Sequence, residues 1–391
     1  MSEEVIEITK ELIRVPGYSE LPEKETEVAK RLLRYFAEAG LPARLLDVGG
    51  GRFNLSCVYD TGLAGPKLTL CTHLDTVPPY EMPEPFDPRI CGNRLYGRGA
   101  VDVRDNLAAM FLVMRRLFRD RPPARGRVEF LAVADEESGS CGMRAALATG
   151  YDADLTVVGE PTQLQLGIAH KGVCWMRAAF HGKSAHGSVP EQGHNAIYDA
   201  NRLLTGIQQV LIPRLKSRTH PLLGRPSVNV GQITGGTRPT IVPESCEVYL
   251  DRRLLPGESA GTALEELEGL LRDGFPGDGP YRPEAEVILG GGDRPFPALD
   301  SSGSPQVIAM LQHLLEDQFQ IHASPCGLPF WTDAALPNFY SGKPAVVIGP
   351  GNIKQAHSND EWVDLDQLRL SEEIYYQIIT TMCALDSERW W

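Results

Sequence analysis

Several histidines and carboxylates of this chain follow apolar stretches directly or lie in short loops beyond them. They are His73, Glu136, Glu137, Glu160 and His357, and Asp102 stands at the entry to a helix. Imidazole nitrogens and carboxylate oxygens are ligands for zinc, manganese and cobalt. A set of five ligands with one shared carboxylate suits two ions better than one, and ions about 3.5–4 Å apart can activate a water for hydrolysis. Taken one at a time, the same acids would be read as helix caps or solvated loop charges.

The elements that must position these side chains form an alternating pattern. Apolar strands are predicted at 53–58, 68–74, 128–134, 155–159 and 345–349, and helices at 4–14, 22–39, 105–119 and 303–319. Strands that alternate with helices are typical of a mainly parallel sheet covered on both faces, a three-layer α/β domain. In such sheets ligands bind beyond the carboxyl ends of the strands, so we expect the acids and histidines to converge on one edge.

The segment from 170 to 288 has a different pattern. It reads as strand 173–181, helix 195–212, strands 227–233 and 245–252, helix 258–274 and strand 283–289. This order is that of a split βαβ, ferredoxin-like unit. We therefore predict a catalytic domain made of 1–169 and 289–391, with an α+β domain inserted at 170–288.

Composition limits the partners. The 391 residues carry a formal net charge of -13, which argues against nucleic acid or an anionic membrane as the main partner. The start of the chain has no basic segment followed by a long apolar one, so no signal peptide is predicted. The eight cysteines are scattered without a Cys-x-x-Cys pair, which favours reduced thiols in a cytoplasmic protein.

Five segments carry a resemblance to a known family. CTHLDTVP, GRGAVDV, DEESG, VGEPT and AHSNDEW, in this order and spacing, resemble the co-catalytic zinc deacetylases and peptidases. That family includes acetylornithine deacetylase, succinyl-diaminopimelate desuccinylase, aminoacylase and glutamate carboxypeptidase. The resemblance spans the whole chain, and it implies a lid and dimerisation role for the inserted domain.

The resemblance also implies roles for individual residues. One zinc ion would be held by His73, Asp102 and Glu160, and the other by Asp102, Glu137 and His357, with cobalt or manganese as alternative metals. Glu136 would be the general base that takes a proton from the attacking water and passes it to the leaving amine. Asp75 would orient His73 from behind. A cis peptide is expected after Asp102.

Three residues of the inserted domain are implied to meet the substrate. His186 matches a lid histidine that reaches across a dimer to the scissile carbonyl oxygen, and Arg253 matches an arginine that binds the substrate α-carboxylate. The neighbouring Arg252 is expected to be a surface charge. Thr240 stands where many members have Asn. After Asp102 the chain reads Val103-Arg104-Asp105-Asn106, where relatives usually have Lys-Gly-Gly.

The resulting expectation is a zinc-dependent amidohydrolase that acts on an N-acyl-L-amino acid, with N-acetyl-L-ornithine as the first substrate. Within the family, desuccinylation of a diaminopimelate precursor and carboxypeptidase or dipeptidase action are alternatives. A metal-free, non-catalytic binding protein on the same fold is an alternative from another class. The intact ligand set and Glu136 favour the enzyme, and a homodimer through the lid is the expected assembly.

Overall fold

The structure is a computed structural model that describes residues 3–121, 125–276 and 279–384. The strands are β1 (Ala43–Gly49), β2 (Arg52–Asp60), β3 (Lys67–His73), β4 (Arg89–Cys91), β5 (Arg94–Tyr96), β6 (Arg127–Val133), β7 (Leu155–Val158), β8 (Gly167–His170), β9 (Gly172–His181), β10 (Ser227–Gly235), β11 (Ser245–Leu254), β12 (Glu284–Leu289), β13 (Leu299–Asp300), β14 (Cys326–Leu328), β15 (Ala345–Val347) and β16 (Trp362–Asp364). The helices are α1 (Glu4–Ile13), α2 (Thr26–Glu38), α3 (Arg104–Asp120), α4 (Cys141–Ala148), α5 (Ala196–Gly206), α6 (Ile212–Lys216), α7 (Ala260–Gly274), α8 (Pro305–Phe319), α9 (Ala335–Ser341) and α10 (Leu365–Ala384).

The described residues fall into two compact units. The first lies within Met1–Ala169, Asp300–Leu328 and Thr332–Trp391, and the second comprises His170–Leu299 and Pro329–Trp331. The second unit therefore continues past 288, where the sequence suggested its end. The reason is local pairing, because the backbone N–H of Val173 donates to the carbonyl of Phe296 at 2.9 Å and keeps this segment beside β9.

The first unit is built on a nine-stranded sheet. Its order is β1-β2-β6-β3-β7-β15-β8-β13, with β14 paired to β8. The centre is parallel, since β3 pairs in parallel with β6 and β7, and β15 with β7. The flanking pairs β1–β2, β2–β6 and β15–β8 are antiparallel. This arrangement confirms the predicted α/β class with a mostly parallel central sheet.

Helices of the first unit pack in two groups. α3 contacts α1 and α10, whereas α4 contacts α9. From Leu107 to Met114 every residue of α3 is apolar and buried, which explains why this part of the helix lies between neighbours rather than at the surface. The prediction for this helix, 105–119, matches its observed bounds within one residue. Among the described residues, no helix combines the length and apolar character needed to cross a bilayer.

The second unit confirms the ferredoxin-like order. Its sheet runs β10-β11-β9-β12 with every neighbouring pair antiparallel. Alternate residues of β11, such as Val248 and Leu250, are buried against Leu203 of α5 and Leu267 of α7. The expected helix 195–212 is longer in the structure, since α5 continues through a π-helical turn at Ile207–Leu211 into α6.

Candidate metal centre

The centre of the parallel sheet explains why distant segments of the chain meet. β3 ends at His73, β6 leads into Glu136 and Glu137, and β7 leads into Glu160. Because β6, β3 and β7 are parallel neighbours, their carboxyl ends lie at the same edge of the sheet. The helix α3 begins two residues after Asp102, and so brings that carboxylate to the same place.

The five predicted metal ligands are brought together by direct contacts. His73 Nε2 lies 3.1 Å from Asp102 Oδ1 and 3.6 Å from Glu160 Oε1. His357 Nε2 lies 3.0 Å from Asp102 Oδ2 and 3.1 Å from Glu137 Oε2. Asp102 thus contacts both histidines, one through each carboxylate oxygen. The ligand atoms of His73, Asp102 and Glu137 all lie within 4.8 Å of one another.

Asp75 joins the histidine to the loop that carries the two glutamates. His73 Nδ1 lies 3.0 Å from the Asp75 carbonyl oxygen and 3.5 Å from its carboxylate. The two carboxylate oxygens of Asp75 accept the backbone N–H groups of Glu136 and Glu137, each at 3.1 Å. Asp75 is fully buried, so these contacts are shielded from water. The sequence indicated that Asp75 orients His73, but not that it binds the backbone of Glu136 and Glu137.

The backbone at Asp102 is held in place by Glu361, a residue that the sequence did not indicate. Glu361 Oε1 accepts the backbone N–H groups of Val101 and Asp102 at 3.1 and 3.2 Å. Arg98 donates to the other oxygen of Glu361 at 2.5 Å, and both side chains are buried. Glu361 belongs to the same AHSNDEW segment as His357, so the signal was present there. The Asp102–Val103 peptide is cis, as the family resemblance implies.

The electrostatics of the site favour positive charge. Burial alone would lower the pKa of His357, but hydrogen bonds to Asp102 and Glu137 outweigh it and raise the pKa to about 11. The pKa of His73 is raised in the same way by Asp102 and Asp75. Burial raises the pKa of Glu137 and Glu160 above their ordinary range. Carboxylates crowded in a buried site therefore gain from a nearby cation.

The residues present fit divalent metal ions. The set offers two imidazole nitrogens and three carboxylates with contacts of 3.0–3.6 Å between neighbouring donor atoms. Mixed nitrogen and oxygen donors of this kind bind zinc, manganese or cobalt. His73 is oriented through Nδ1 by Asp75, which leaves Nε2 as the coordinating atom.

A buried ion network supports the loop that carries Glu136. Arg52 Nη1 donates to both oxygens of Glu25 at 2.9 and 2.8 Å, and Nη2 contacts Asp135 Oδ1 at 2.9 Å. Asp135 has a φ of +69°, and its carbonyl accepts the backbone N–H groups of residues 138–140. Sequence reasoning missed this network because Glu25 and Arg52 are far from the motifs along the chain.

The departure at Arg104-Asp105-Asn106 is buried rather than exposed to the site. Arg104 donates to the carbonyl of Leu74, the residue between His73 and Asp75. The Tyr375 hydroxyl donates to Asn106 Oδ1 at 2.5 Å, which ties the start of α3 to α10. These side chains therefore belong to the packing around the candidate metal ligands.

The three expected substrate residues lie in the second unit. His186 is exposed, and its Nδ1 lies 2.7 Å from Ser188 Oγ. Arg253, near the end of β11, is 38% exposed and donates through Nε to Asp251 at 2.9 Å. Thr240 is exposed, and its carbonyl accepts the N–H of Gly187 at 2.8 Å.

The expectation for Arg252 was wrong. The sequence predicts a surface charge here, but the Arg252 side chain is only 1% exposed and contacts Glu258 at 3.2 Å and Glu266 at 3.5 Å. The alternation of β11 explains the difference, because Arg253 faces outward and Arg252 faces the helices of the second unit.

Comparisons with known proteins agree with this geometry. The profile described as peptidase family M20/M25/M40 matches residues 69–381. The acetylornithine deacetylase of Proteus mirabilis is 30% identical over 400 residues, which cover 98% of each chain. Among solved structures, a tripeptidase from Staphylococcus aureus superposes with a TM-score of 0.81 at 21% identity, covering 98% of this chain and 99% of that one.

A second solved structure is a dinuclear metal binding peptidase of the M20 family from Bacillus subtilis. It superposes with a TM-score of 0.74 at 16% identity and covers 97% of each chain. At these identities the two structures support the fold, while the matched profile and the deacetylase support the family. The family resemblance seen in the motifs is thereby confirmed, and the chain belongs to peptidase family M20/M25/M40, a family of hydrolytic enzymes.

Proposed function

We propose that the chain is a two-metal amidohydrolase that removes the acyl group from an N-acyl-L-amino acid. The substrate that we propose is N-acetyl-L-ornithine. One observation carries the proposal: Asp102 contacts His73 through one oxygen and His357 through the other, at 3.1 and 3.0 Å. A single carboxylate between two histidines is the arrangement that a shared ligand of two cations needs. The 30% identity to an acetylornithine deacetylase over 98% of the chain supports the choice of substrate.

His73, Asp102, Glu137, Glu160 and His357 would hold the metal pair, which we propose to be zinc, with cobalt or manganese as substitutes. Bound divalent cations would polarise the scissile carbonyl and make a water acidic enough to attack at neutral pH. The intact ligand set argues against the alternative of a metal-free binding protein.

Glu136 is the proposed general base. Its backbone N–H is bound to Asp75, and its neighbour Glu137 contacts His357, so the residue is held beside the ligand set. Glu136 takes a proton from the water as the water oxygen bonds to the acyl carbon. The same proton then passes to the amine nitrogen as the carbon–nitrogen bond breaks, which yields a carboxylic acid and a free amine. The second proton of the water stays on the acid and is released to solvent when the acid ionises.

The second unit supplies the remaining proposed contacts. His186 would donate a hydrogen bond to the oxygen of the scissile carbonyl, where negative charge develops. Arg253 would bind the α-carboxylate, for which a guanidinium fork is suited. Thr240 would meet the substrate with a hydroxyl where relatives offer an amide. We further propose a cytoplasmic homodimer, formed through the second unit acting as a lid, in which His186 acts on the partner's site.

The Glu136→Gln variant tests the assignment of the base. The amide cannot accept the proton, so we expect kcat to fall by about 10²–10⁴-fold while the metal content, measured by mass spectrometry, stays at the wild-type value. The matched control is Glu38→Gln at the exposed end of α2, which should leave both quantities unchanged. Wild-type kcat in Glu136→Gln with metal bound would reject the assignment.

A panel of substrates tests the acyl and amino-acid preference. It comprises N-acetyl-ornithine, N-acetyl-citrulline, N-succinyl-diaminopimelate and several dipeptides, each assayed with added zinc or cobalt. The proposal expects the highest kcat/KM for N-acetyl-ornithine. A higher value for the succinyl substrate or a dipeptide would instead identify a desuccinylase or a peptidase of the same family. The comparison is needed because one methylene group of a substrate changes an enzyme's preference by only about 1–3 kcal/mol.

A further inference from the structure

The ring of His186 is bound within its own turn. Nδ1 accepts the backbone N–H of Ser188 at 3.2 Å, and it also lies 2.7 Å from the Ser188 hydroxyl oxygen. The carbonyl of His186 accepts the N–H of Val189 at 2.9 Å, which closes the turn. Among the residues that the structure describes, Nε2 has no hydrogen-bond partner.

The backbone contact decides which ring nitrogen carries the proton. A peptide N–H can only donate, so Nδ1 must present its lone pair to Ser188 and has no hydrogen of its own. In a neutral imidazole the hydrogen then resides on Nε2. The Ser188 hydroxyl, close to the same lone pair, is a second donor and reinforces that tautomer.

A neighbouring segment keeps the turn in place. The N–H of Gly187 donates to the Thr240 carbonyl at 2.8 Å, and the N–H of Val242 donates to the Ala185 carbonyl at 2.9 Å. The two segments approach closely, since a Cβ at Gly187 would lie only 3.1 Å from the Thr240 carbonyl atoms. This contact uses the backbone of Thr240, so it does not depend on whether Thr or Asn stands there.

We propose that Ser188 is a positioning residue that holds His186 as the Nε2–H tautomer and thereby presents a hydrogen-bond donor on the exposed side of the ring. The proposal rests on the proposed amide hydrolysis, in which that donor meets the oxygen of the scissile carbonyl. A ring fixed in this tautomer needs no reorientation when negative charge develops on that oxygen.

The first test reads the tautomer directly. Long-range ¹H–¹⁵N NMR spectra of the full-length protein with ¹⁵N-labelled histidine, recorded at a pH where the ring is neutral, should show an unprotonated Nδ1 and a protonated Nε2 for His186. The His186→Gln variant identifies the resonances by their disappearance. In Ser188→Ala we expect a growing share of the Nδ1–H form, and in Ser188→Thr the wild-type pattern. A protonated Nδ1 in the wild-type protein would overturn the proposal.

The second test reads kinetics. In Ser188→Ala the backbone N–H remains, so we expect kcat to fall by about 3- to 10-fold with KM nearly unchanged, and Ser188→Thr to restore it. Ser184→Ala is the matched control, because Ser184 lies in the same loop but donates to Glu244. Unchanged kcat and tautomer in Ser188→Ala would reject the role of the Ser188 hydroxyl. Full activity of His186→Ala would instead reject the proposed role of His186, so the two failures can be distinguished.

Discussion

At the scale of single residues, the site depends on side chains that each make more than one contact. Asp75 accepts two N–H groups from the loop carrying Glu136 and Glu137, and its carbonyl lies 3.0 Å from His73 Nδ1. The sequence indicated that Asp75 would orient His73, because the two residues follow one strand. It could not indicate the second contact, which joins segments more than sixty residues apart and depends on the register of β3 and β6.

Replacing Asp75 by Asn tests this double role. One of the two acceptor oxygens becomes an NH₂ group that faces a backbone N–H, so the loop should shift away from the ligand set. We expect metal affinity, measured by titration with zinc, to weaken by about 10–100-fold, and kcat/KM to fall with it. Asp87→Asn, at an exposed loop position, should change neither. Wild-type zinc affinity in a folded Asp75→Asn protein would show that the carboxylate is dispensable.

At the scale of elements, the candidate ligands were expected at the carboxyl ends of parallel strands, which the sequence predicts. Several connecting elements were not predicted. Buried parallel strands such as β3 and β6 are continuous apolar runs, which the sequence displays plainly. Helix α10 did not stand out, since its β-branched run Ile378-Ile379-Thr380-Thr381 is more typical of a strand. It forms a helix because packing against α3 outweighs the local propensity. The three-residue strands β4, β5 and β16 are too short to show a period.

The buried ion network of Arg52, Glu25 and Asp135 leads to a prediction about stability. In Arg52→Met the buried carboxylate of Glu25 loses its partner, and Asp135 loses one as well. Leaving a buried charge unpaired costs about 3–5 kcal/mol, so the urea midpoint of the first unit should fall markedly. Lys30→Met removes an exposed pair with Glu27 and should cost no more than about 1 kcal/mol. Equal midpoints for the two variants would contradict the structural importance of Arg52.

At the scale of the whole molecule, the element order predicts an inserted unit at 170–288, and the second compact unit of the structure extends beyond that range. Pro295 and Pro297 lie close to the end of its main segment, but Phe296 pairs with Val173, that segment continues to Leu299, and Pro329–Trp331 also belongs to the unit. Pairing of this kind has no local sequence signal. Likewise, the assembly and the preferred substrate depend on surfaces that motifs do not encode.

The proposed dimer can be tested by mixing two inactive proteins. If His186 acts on the partner's site, His186→Ala and Glu136→Gln subunits complement each other, because one site of each mixed dimer has both residues. Random exchange should then restore about a quarter of the wild-type activity. Sedimentation velocity of each variant provides the control for assembly. A fully active monomer, or no recovery after verified subunit exchange, would contradict the role of His186 across a dimer.

The central claim is that His73, Asp102, Glu137, Glu160 and His357 share two divalent cations. Anomalous diffraction from crystals of the zinc-loaded protein, recorded on both sides of the zinc absorption edge, tests it most directly. We expect two peaks about 3.5–4 Å apart, one on each side of the Asp102 carboxylate, with His73 and Glu160 on one ion and His357 and Glu137 on the other. Peaks located elsewhere, or a single peak at saturating zinc, would contradict it.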